Sequence, residues 1–183
     1  MRNILTVQEQ KFDFDRAGND PLCWYRMAQS LHASARILFK KYKEVCIEMN
    51  KVKEGIAPIE IFINEQSLLL EGFALEAALK GLFAEQGGTI AKDGKIIIKK
   101  SHLLIYWCEQ TSIVPDTEEK KILTILSLLI TSYGRYPIPD YYLKKSLERT
   151  IEKGFTPRYI WQDKYYEIIN DFIENKIGIS ISS

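Results

Sequence analysis

The feature that most constrains the fold is a helical pattern from about residue 58 to residue 86, which is apolar on nearly every side. At 100° per residue, its large apolar side chains fall within one arc of roughly 60°: Ile61, Leu68, Leu75, Leu79 and Leu82. Its small residues share another arc: Ala74, Ala77, Ala78 and Gly81. A helix with two apolar faces is buried on both, so we predict the central helix of an α-helical bundle.

Glu65, Glu76 and Lys80 form a polar strip on the same helix. Glu76 precedes Lys80 by one helical turn, the favourable order for an ion pair worth roughly 0.2 to 0.5 kcal/mol. Two interpretations stay open. The pair is either solvated, or it is a polar position inside a groove or a dimer seam.

Size and composition bound the class of protein. A chain of 183 residues is long enough for one well-buried core. With 46% hydrophobic and 27% charged residues, and no apolar run of about 18 residues, we expect a soluble protein without a membrane span. The first residues lack the features of a secretory signal, so we expect a cytoplasmic protein. Cys23, Cys46 and Cys108 are predicted to be buried free thiols rather than a disulfide frame.

The predicted fold is an all-α, up-and-down bundle of five to six helices with a small β-hairpin after the second long helix. Residues 1–19 are predicted to be an extended arm, because Phe12 and Phe14 alternate with polar residues. Residues 20–176 form the single predicted domain, and residues 177–183 a frayed tail. The first long helix begins at Asp20-Pro21, an N-cap followed by the position that tolerates proline, and runs to about residue 50.

Turn and capping signals divide the remainder of the chain. Gly87-Gly88 ends the central helix, and Asp93-Gly94 favours a two-residue hairpin turn. Ser101 is predicted to cap a third helix that ends near residue 111. Asp116 and Glu119 resemble a capping box that opens a fourth helix, which Gly134 ends. A weaker helix is predicted over 141–151, and a final one begins near residue 157.

The densest basic patch lies on the predicted hairpin: Lys92, Lys95, Lys99 and Lys100. The net charge of the whole chain is only +1, so any attraction to nucleic acid must be local. Lysines at a strand edge also discourage edge-to-edge pairing. Both edge protection and contact with phosphate or RNA therefore remain open for this patch.

Several chemistries lack a sequence basis. His32 and His102 are the only histidines, and neither belongs to a zinc-binding motif. The chain contains no phosphate-binding loop, dinucleotide-binding fingerprint or hydrolase nucleophile elbow. We therefore predict no metal and no cofactor.

The order of several segments resembles the HEPN family, small helical bundles found in nucleotide-binding proteins, toxin–antitoxin pairs and RNA-cutting defence proteins. The first helix contributes Trp24 with the following Ala28, Leu31, Ala35 and Leu38, and the central helix contributes EGFALEAALKGLF. Ser101-His102-Leu103-Leu104 is similar to the family's Ser/Thr-His-Asp-Leu opening of the third helix, and Gly134-Arg135-Tyr136-Pro137 follows a glutamate-started helix. The resemblance covers roughly residues 20–175.

Two departures from the family pattern affect the predicted activity. Leu103 stands where the family often has Asp. The RNA-cutting members carry Arg and His with four to six residues between them, usually late in the bundle, where this chain has no histidine. One such spacing, Arg26 to His32, lies in the first helix. The alternative prediction is a metal-independent endoribonuclease that uses these two residues across a dimer, with His32 as general base and Arg26 stabilising the phosphorane charge.

The best functional prediction is a non-catalytic or weakly catalytic HEPN-like module that binds a nucleotide, RNA or a partner protein. It is expected to be a homodimer in a toxin–antitoxin or defence context. Its candidate ligand-binding residues are Glu76, Lys80, His102, Arg135 and Tyr136. A cleft lined by Lys80, His102 and Arg135 would suit a phosphate, although His102 and Arg135 also suit structural hydrogen bonds. A third prediction is a plain protein-interaction module that docks through the small-residue face of the central helix.

Overall fold

The computed structural model describes residues 6–52, 58–98, 102–133 and 163–179. These parts of the chain form six helices and one two-stranded antiparallel sheet. The prediction of an all-α fold with a small hairpin is therefore confirmed. The predicted helix over 141–151, the start of the final helix near residue 157 and the stop at Gly134 lie outside the described residues.

The N-terminal segment is a helix, α1 (Val7–Asn19), so the predicted extended arm is wrong. The Thr6 hydroxyl accepts a hydrogen bond from the Glu9 backbone N–H at 3.3 Å, and the Glu9 carboxylate accepts one from the Thr6 N–H at 2.7 Å. This reciprocal capping box satisfies two backbone donors that a helix start otherwise leaves unpaired. The helix has no buried residue.

Helix α2 (Pro21–Val52) begins where the sequence predicts, and it packs along helix α3 (Pro58–Glu85). The Asp20 carboxylate accepts a hydrogen bond from the Leu22 N–H at 2.9 Å, as an N-cap does. Both predicted faces of α3 are covered: Leu68, Leu75, Leu79, Ala74, Ala77 and Ala78 are all buried. A Cβ at Gly81 would collide with the Tyr25 ring, so this glycine allows α2 to approach closely.

The hairpin pairs β1 (Ala91–Lys92) with β2 (Lys95–Ile96), and it is attached to α1. Asp93 and Gly94 both have positive φ angles, 53° and 73°, as the two-residue turn requires. The Asn19 side chain accepts hydrogen bonds from Ile90 and Ala91 and donates one to the Ala91 carbonyl at 2.8 Å. The Asp15 carboxylate accepts another from Gly94. The first helix therefore fixes the position of the hairpin.

Helix α4 (Leu104–Gln110) is shorter than predicted and starts later. Leu103 occupies its N-cap position without a side-chain cap, and the Leu104 N–H donates to the Ser127 hydroxyl at 2.9 Å. Ser101, the predicted cap, lies outside the described residues. The first backbone donor of α4 is therefore satisfied by another helix rather than by a local cap.

Helix α5 (Thr117–Leu128) continues as a π-helical turn, Leu129–Tyr133. Its predicted capping box is confirmed, because the Asp116 side chain accepts from the Glu119 N–H and the Glu119 side chain from the Asp116 N–H. Helix α6 (Asp163–Asp171) also continues as a π-helical turn, Phe172–Ile177. The tail was predicted to fray from residue 177, but Ile177 and Ile179 are buried, so that boundary is wrong for residues 177–179.

Candidate functional site

A polar stripe on α3 lies inside the bundle, where the sequence predicts only apolar contacts. Asn64, Ser67 and Glu71 follow one another at spacings that place them on one face of the helix. Ser67 and Glu71 are fully buried. Buried polar groups require partners, and those of Ser67 and Glu71 come from α2 and α6.

His32 of α2 and Glu71 of α3 form a buried pair. The His32 Nδ1 lies 2.8 Å from the Glu71 Oε2, and the two residues are 5% and 0% exposed. Burial raises the pKa of Glu71, while the hydrogen bond to His32, the charge interaction with His32 and, last, the positive charge of Arg36 lower it. The second carboxylate oxygen, Oε1, has no hydrogen-bond partner among the described residues.

Asn170 of α6 connects His32 to Arg36. With its amide oriented to satisfy the hydrogen bonds, the Asn170 nitrogen donates to the His32 Nε2 and to the Tyr166 carbonyl, each at 3.2 Å. Its oxygen accepts from the Arg36 Nη1 at 3.2 Å. Because Nε2 accepts, neutral His32 carries its proton on Nδ1 and donates it to Glu71; this tautomer is assigned from the network.

Tyr166 of α6 lies beside these hydrogen-bonded residues, and its hydroxyl is hydrogen-bonded to the Ser67 hydroxyl. Ser67 in turn donates to the Ala35 carbonyl at 2.8 Å. The Tyr166 ring stacks on Phe39 with centroids 4.0 Å apart, and the Arg36 guanidinium lies 5.9 Å from the Tyr166 centroid. The polar chain and the aromatic pair therefore hold α2 and α6 in a fixed relation.

A pocket of about 500 Å³ opens between α2 and α6 above these residues. Its lining consists of Arg36, Ile37, Phe39, Lys40, Lys43, Tyr166, Glu167 and Asn170. Three of these residues are cations on one face of α2, and one is an acid. Glu167 alone offsets them within the lining, so the pocket carries a net positive charge.

A second polar cluster joins α3 to the start of α4. The Lys80 Nζ lies 2.5 Å from the Glu76 Oε1, and the His102 Nδ1 lies 2.9 Å from the Glu76 Oε2. The Lys80 ammonium is also 5.3 Å and 5.5 Å from the ring centroids of Trp24 and Trp107. The predicted ion pair is confirmed, but Glu76 is buried, so the interpretation as a solvated pair is wrong.

The structure brings some of the predicted site residues together and separates others. Lys80 and His102 meet through Glu76, whereas their predicted companions Arg135 and Tyr136 lie outside the described residues. Arg26 is exposed and His32 is buried.

On the hairpin, Lys92 and Lys95 are exposed, and Lys99 and Lys100 lie outside the described residues. Cys108 is a buried thiol as predicted, but Cys23 is exposed, which corrects that expectation. The side chain of Cys46 lies outside the described residues.

The sequence prediction missed most residues of the pocket and of the hydrogen-bonded network beneath it: Arg36, Lys40, Lys43, Ser67, Glu71 and Asn170. One signal was available in the sequence. Ser67 and Glu71 interrupt a helix that is otherwise apolar on that side. A polar residue at a core position indicates a buried hydrogen-bond network, although its partners are not readable from the local sequence.

No protein-family model, curated protein or solved structure matches the chain. The resemblance to HEPN proteins therefore stays a prediction. Within the described ranges, no group of three or more His, Cys, Asp or Glu side chains is arranged to hold a metal ion. In the same ranges, no helix is long and apolar enough to cross a membrane.

Proposed function

We propose that this protein binds a phosphate-bearing ligand, a nucleotide or RNA, in the pocket between α2 and α6. The observation that carries the proposal is the convergence of Arg36, Lys40 and Lys43 on one pocket of about 500 Å³. Guanidinium and ammonium groups are the side chains that bind phosphate oxygens most strongly. A net charge of +1 for the whole chain makes this local concentration of cations notable.

The spacing of the three cations favours a ligand with more than one phosphate. Residues 36, 40 and 43 lie along one side of α2, and the helical rise separates the outer two by about 10 Å. A single phosphate does not reach across that length, whereas a polyphosphate or a nucleic-acid strand does. Proteins that bind single-stranded nucleic acid also place cations along the path of the backbone.

Binding is favoured over RNA cleavage because of the surroundings of His32. Both of its ring nitrogens already have partners, Glu71 and Asn170, and the residue is 5% exposed. A general base must reach the hydroxyl that it deprotonates. In the alternative endoribonuclease, His32 would have to break its hydrogen bonds to Glu71 and Asn170 and approach a ligand together with the exposed Arg26.

The small-residue face of α3 does not support the third prediction, docking of a partner protein on that face. Ala74, Ala77 and Ala78 are buried within the chain, and Gly81 faces Tyr25. Membership of the HEPN family, a toxin–antitoxin or defence context and a homodimer remain part of the proposal. Light scattering at tens of micromolar protein tests the dimer, which a monomer mass would contradict.

Fluorescence polarisation of a labelled oligouridylate tests the proposed site. Unlabelled inorganic phosphate, a mononucleotide, a nucleoside triphosphate and the unlabelled oligonucleotide serve as competitors and identify the source of the phosphate. We expect the double variant Lys40→Ala/Lys43→Ala to bind the oligonucleotide at least tenfold more weakly. It loses two phosphate contacts, and a loss of about 1.4 kcal/mol in binding free energy is already a tenfold change in affinity.

The matched control is Lys92→Ala/Lys95→Ala, which also removes two exposed lysines but from the hairpin. We expect its affinity to stay within about twofold of the original protein, apart from the general effect of charge. A large loss in the hairpin variant with none in the pocket variant would move the site to the lysine patch. No displacement or binding by any of the probes would contradict the proposed function.

A further inference from the structure

A hydrogen-bonded chain runs from the pocket into the core through four residues on three helices. Arg36 and His32 belong to α2, Glu71 to α3 and Asn170 to α6. We propose that Asn170 is a positioning residue, which the buried His32–Glu71 pair orients so that it holds the Arg36 guanidinium toward a phosphate in the pocket. This inference rests on the proposed function.

The direction of each hydrogen bond in the chain follows from its chemistry. Arg36 has only donors, so Asn170 must present its oxygen to Arg36. The amide nitrogen then faces two acceptors, the Tyr166 carbonyl and the His32 Nε2. His32 consequently donates from Nδ1 to the Glu71 carboxylate. An acceptor at Glu71 therefore favours one orientation of an amide that borders the pocket.

This arrangement orders Arg36 before a ligand arrives. The guanidinium is anchored by Asn170 on one side and lies near the Tyr166 ring, 5.9 Å from its centroid. A guanidinium has five N–H donors, and the bond to Asn170 uses one of them, which leaves donors for a phosphate. Holding a long side chain in its binding conformation reduces the entropy that is lost on binding.

Protonation of Glu71, whose pKa is raised by burial, would turn the acceptor at the buried end of the network into a donor. His32 would then carry its proton on Nε2 and place a donor against the Asn170 nitrogen, and the amide would have to turn its nitrogen toward Arg36. Among the described residues, the charged or titratable groups around His32 are Arg36 on its own helix, Glu71 on α3 and Tyr166 on α6. Acidification should therefore weaken binding, although an added positive charge alone would strengthen it.

A double-mutant cycle with the labelled oligouridylate tests the inference. The oligonucleotide carries a 5′-hydroxyl, so that its charge stays constant over the range of pH. We expect Asn170→Ala to weaken binding roughly tenfold although Asn170 need not touch the ligand, and Arg36→Ala to weaken it at least as much. The double variant should bind no more weakly than Arg36→Ala, because both changes remove the same function.

The dependence of oligonucleotide affinity on pH distinguishes a positioning role from a loss of stability, because it is measured on variants that are folded. Affinity of the original protein should fall on acidification, whereas affinity of the folded Asn170→Ala variant should be flat or rise. Asn175→Ala, on the exposed surface of the π-helical turn after α6, is the matched control and should leave binding unchanged. Circular dichroism and thermal unfolding confirm the folding of each variant, and Asn170→Ser replaces Asn170→Ala if the latter does not fold.

Additive losses in the cycle, or the same pH profile in the presence and absence of Asn170, would overturn the positioning role while leaving the proposed function intact. If the original protein bound neither the oligonucleotide nor inorganic phosphate, the mononucleotide or the nucleoside triphosphate, the proposed function would be overturned, and the inference with it.

Discussion

Helix α3 carries two buried acids, Glu71 and Glu76, whose surroundings differ. Each oxygen of Glu76 has a partner, Lys80 for Oε1 and His102 for Oε2. In Glu71, only Oε2 is bonded, to His32, and Oε1 has no partner among the described residues. His32 lowers the pKa of Glu71 more than Arg36 does, and Arg36, the permanent cation of the two, is a pocket residue.

The Glu76 cluster therefore stabilises the fold, whereas the residues bonded to Glu71 connect the core to the pocket. The Glu76 cluster contains its own cation, which two tryptophan rings also contact. The Glu71 chain reaches its cation only at the edge of the pocket, where a ligand can act on it. A buried charged residue is therefore not evidence of a site by itself, and the position of its counter-charge carries the information.

The largest expected effect is on the stability of the closed cluster. Glu76→Ala should lower the free energy of unfolding by about 3 kcal/mol, because it leaves Lys80 and His102 without their carboxylate in a largely buried setting. Urea unfolding measures the change, and Glu109→Ala, an exposed acid on α4, should stay within about 0.5 kcal/mol of the original protein. Equal and small effects of both substitutions would contradict this account of the Glu76 cluster.

Glu71→Gln should change how stability depends on pH. Burial raises the pKa of Glu71 above its ordinary value of 4.5. The folded state then holds the proton more tightly than the unfolded state, so its contribution is lost as pH rises from 4.5 through the raised value, by at most about 1.4 kcal/mol per pH unit. The Gln variant has no carboxyl group to titrate and should not show this loss. Urea midpoints measured at several pH values test this, and the same pH dependence in both proteins would refute the prediction.

A pair of cation substitutions compares the two clusters directly and has the smallest expected effect on stability. Arg36→Ala should change the free energy of unfolding by about 0.5 kcal/mol or less while weakening oligonucleotide binding roughly tenfold. Lys80→Ala should lower stability by about 1 to 2 kcal/mol, because its ion pair and cation–π contacts are lost, and should leave binding unchanged. Loss of binding in the Lys80 variant would remove the distinction between the clusters.

Local signals in the sequence predicted much of the fold. The two apolar arcs of α3, the Asp93-Gly94 turn and the Asp116–Glu119 capping box depend on residues close in the chain, and the structure confirms them. Helix α1 was missed because Phe12 and Phe14 indicated an extended segment, while Thr6 and Glu9 carried the opposing signal. With no buried face, that helix depends on its cap rather than on periodicity.

The candidate site could not be predicted in the same way, because its residues meet through tertiary packing. His32 and Glu71 are 39 positions apart, and Ser67 and Tyr166 are 99 apart. The exposed cations of α2 are indistinguishable in sequence from an ordinary solvated face until α6 packs beside them. Glu76 and Lys80 were found because one helical turn separates them, although their burial depends on α2 and α4.

The salt dependence of oligouridylate binding tests the central claim, a phosphate site in the α2–α6 pocket, most directly. For single strands, the slope of log K against log salt concentration is about −0.7 for each phosphate contact. We expect Lys40→Ala/Lys43→Ala to reduce the magnitude of the slope by about 1.4, the contribution of two contacts. An unchanged slope in this variant, with full affinity, would contradict the account.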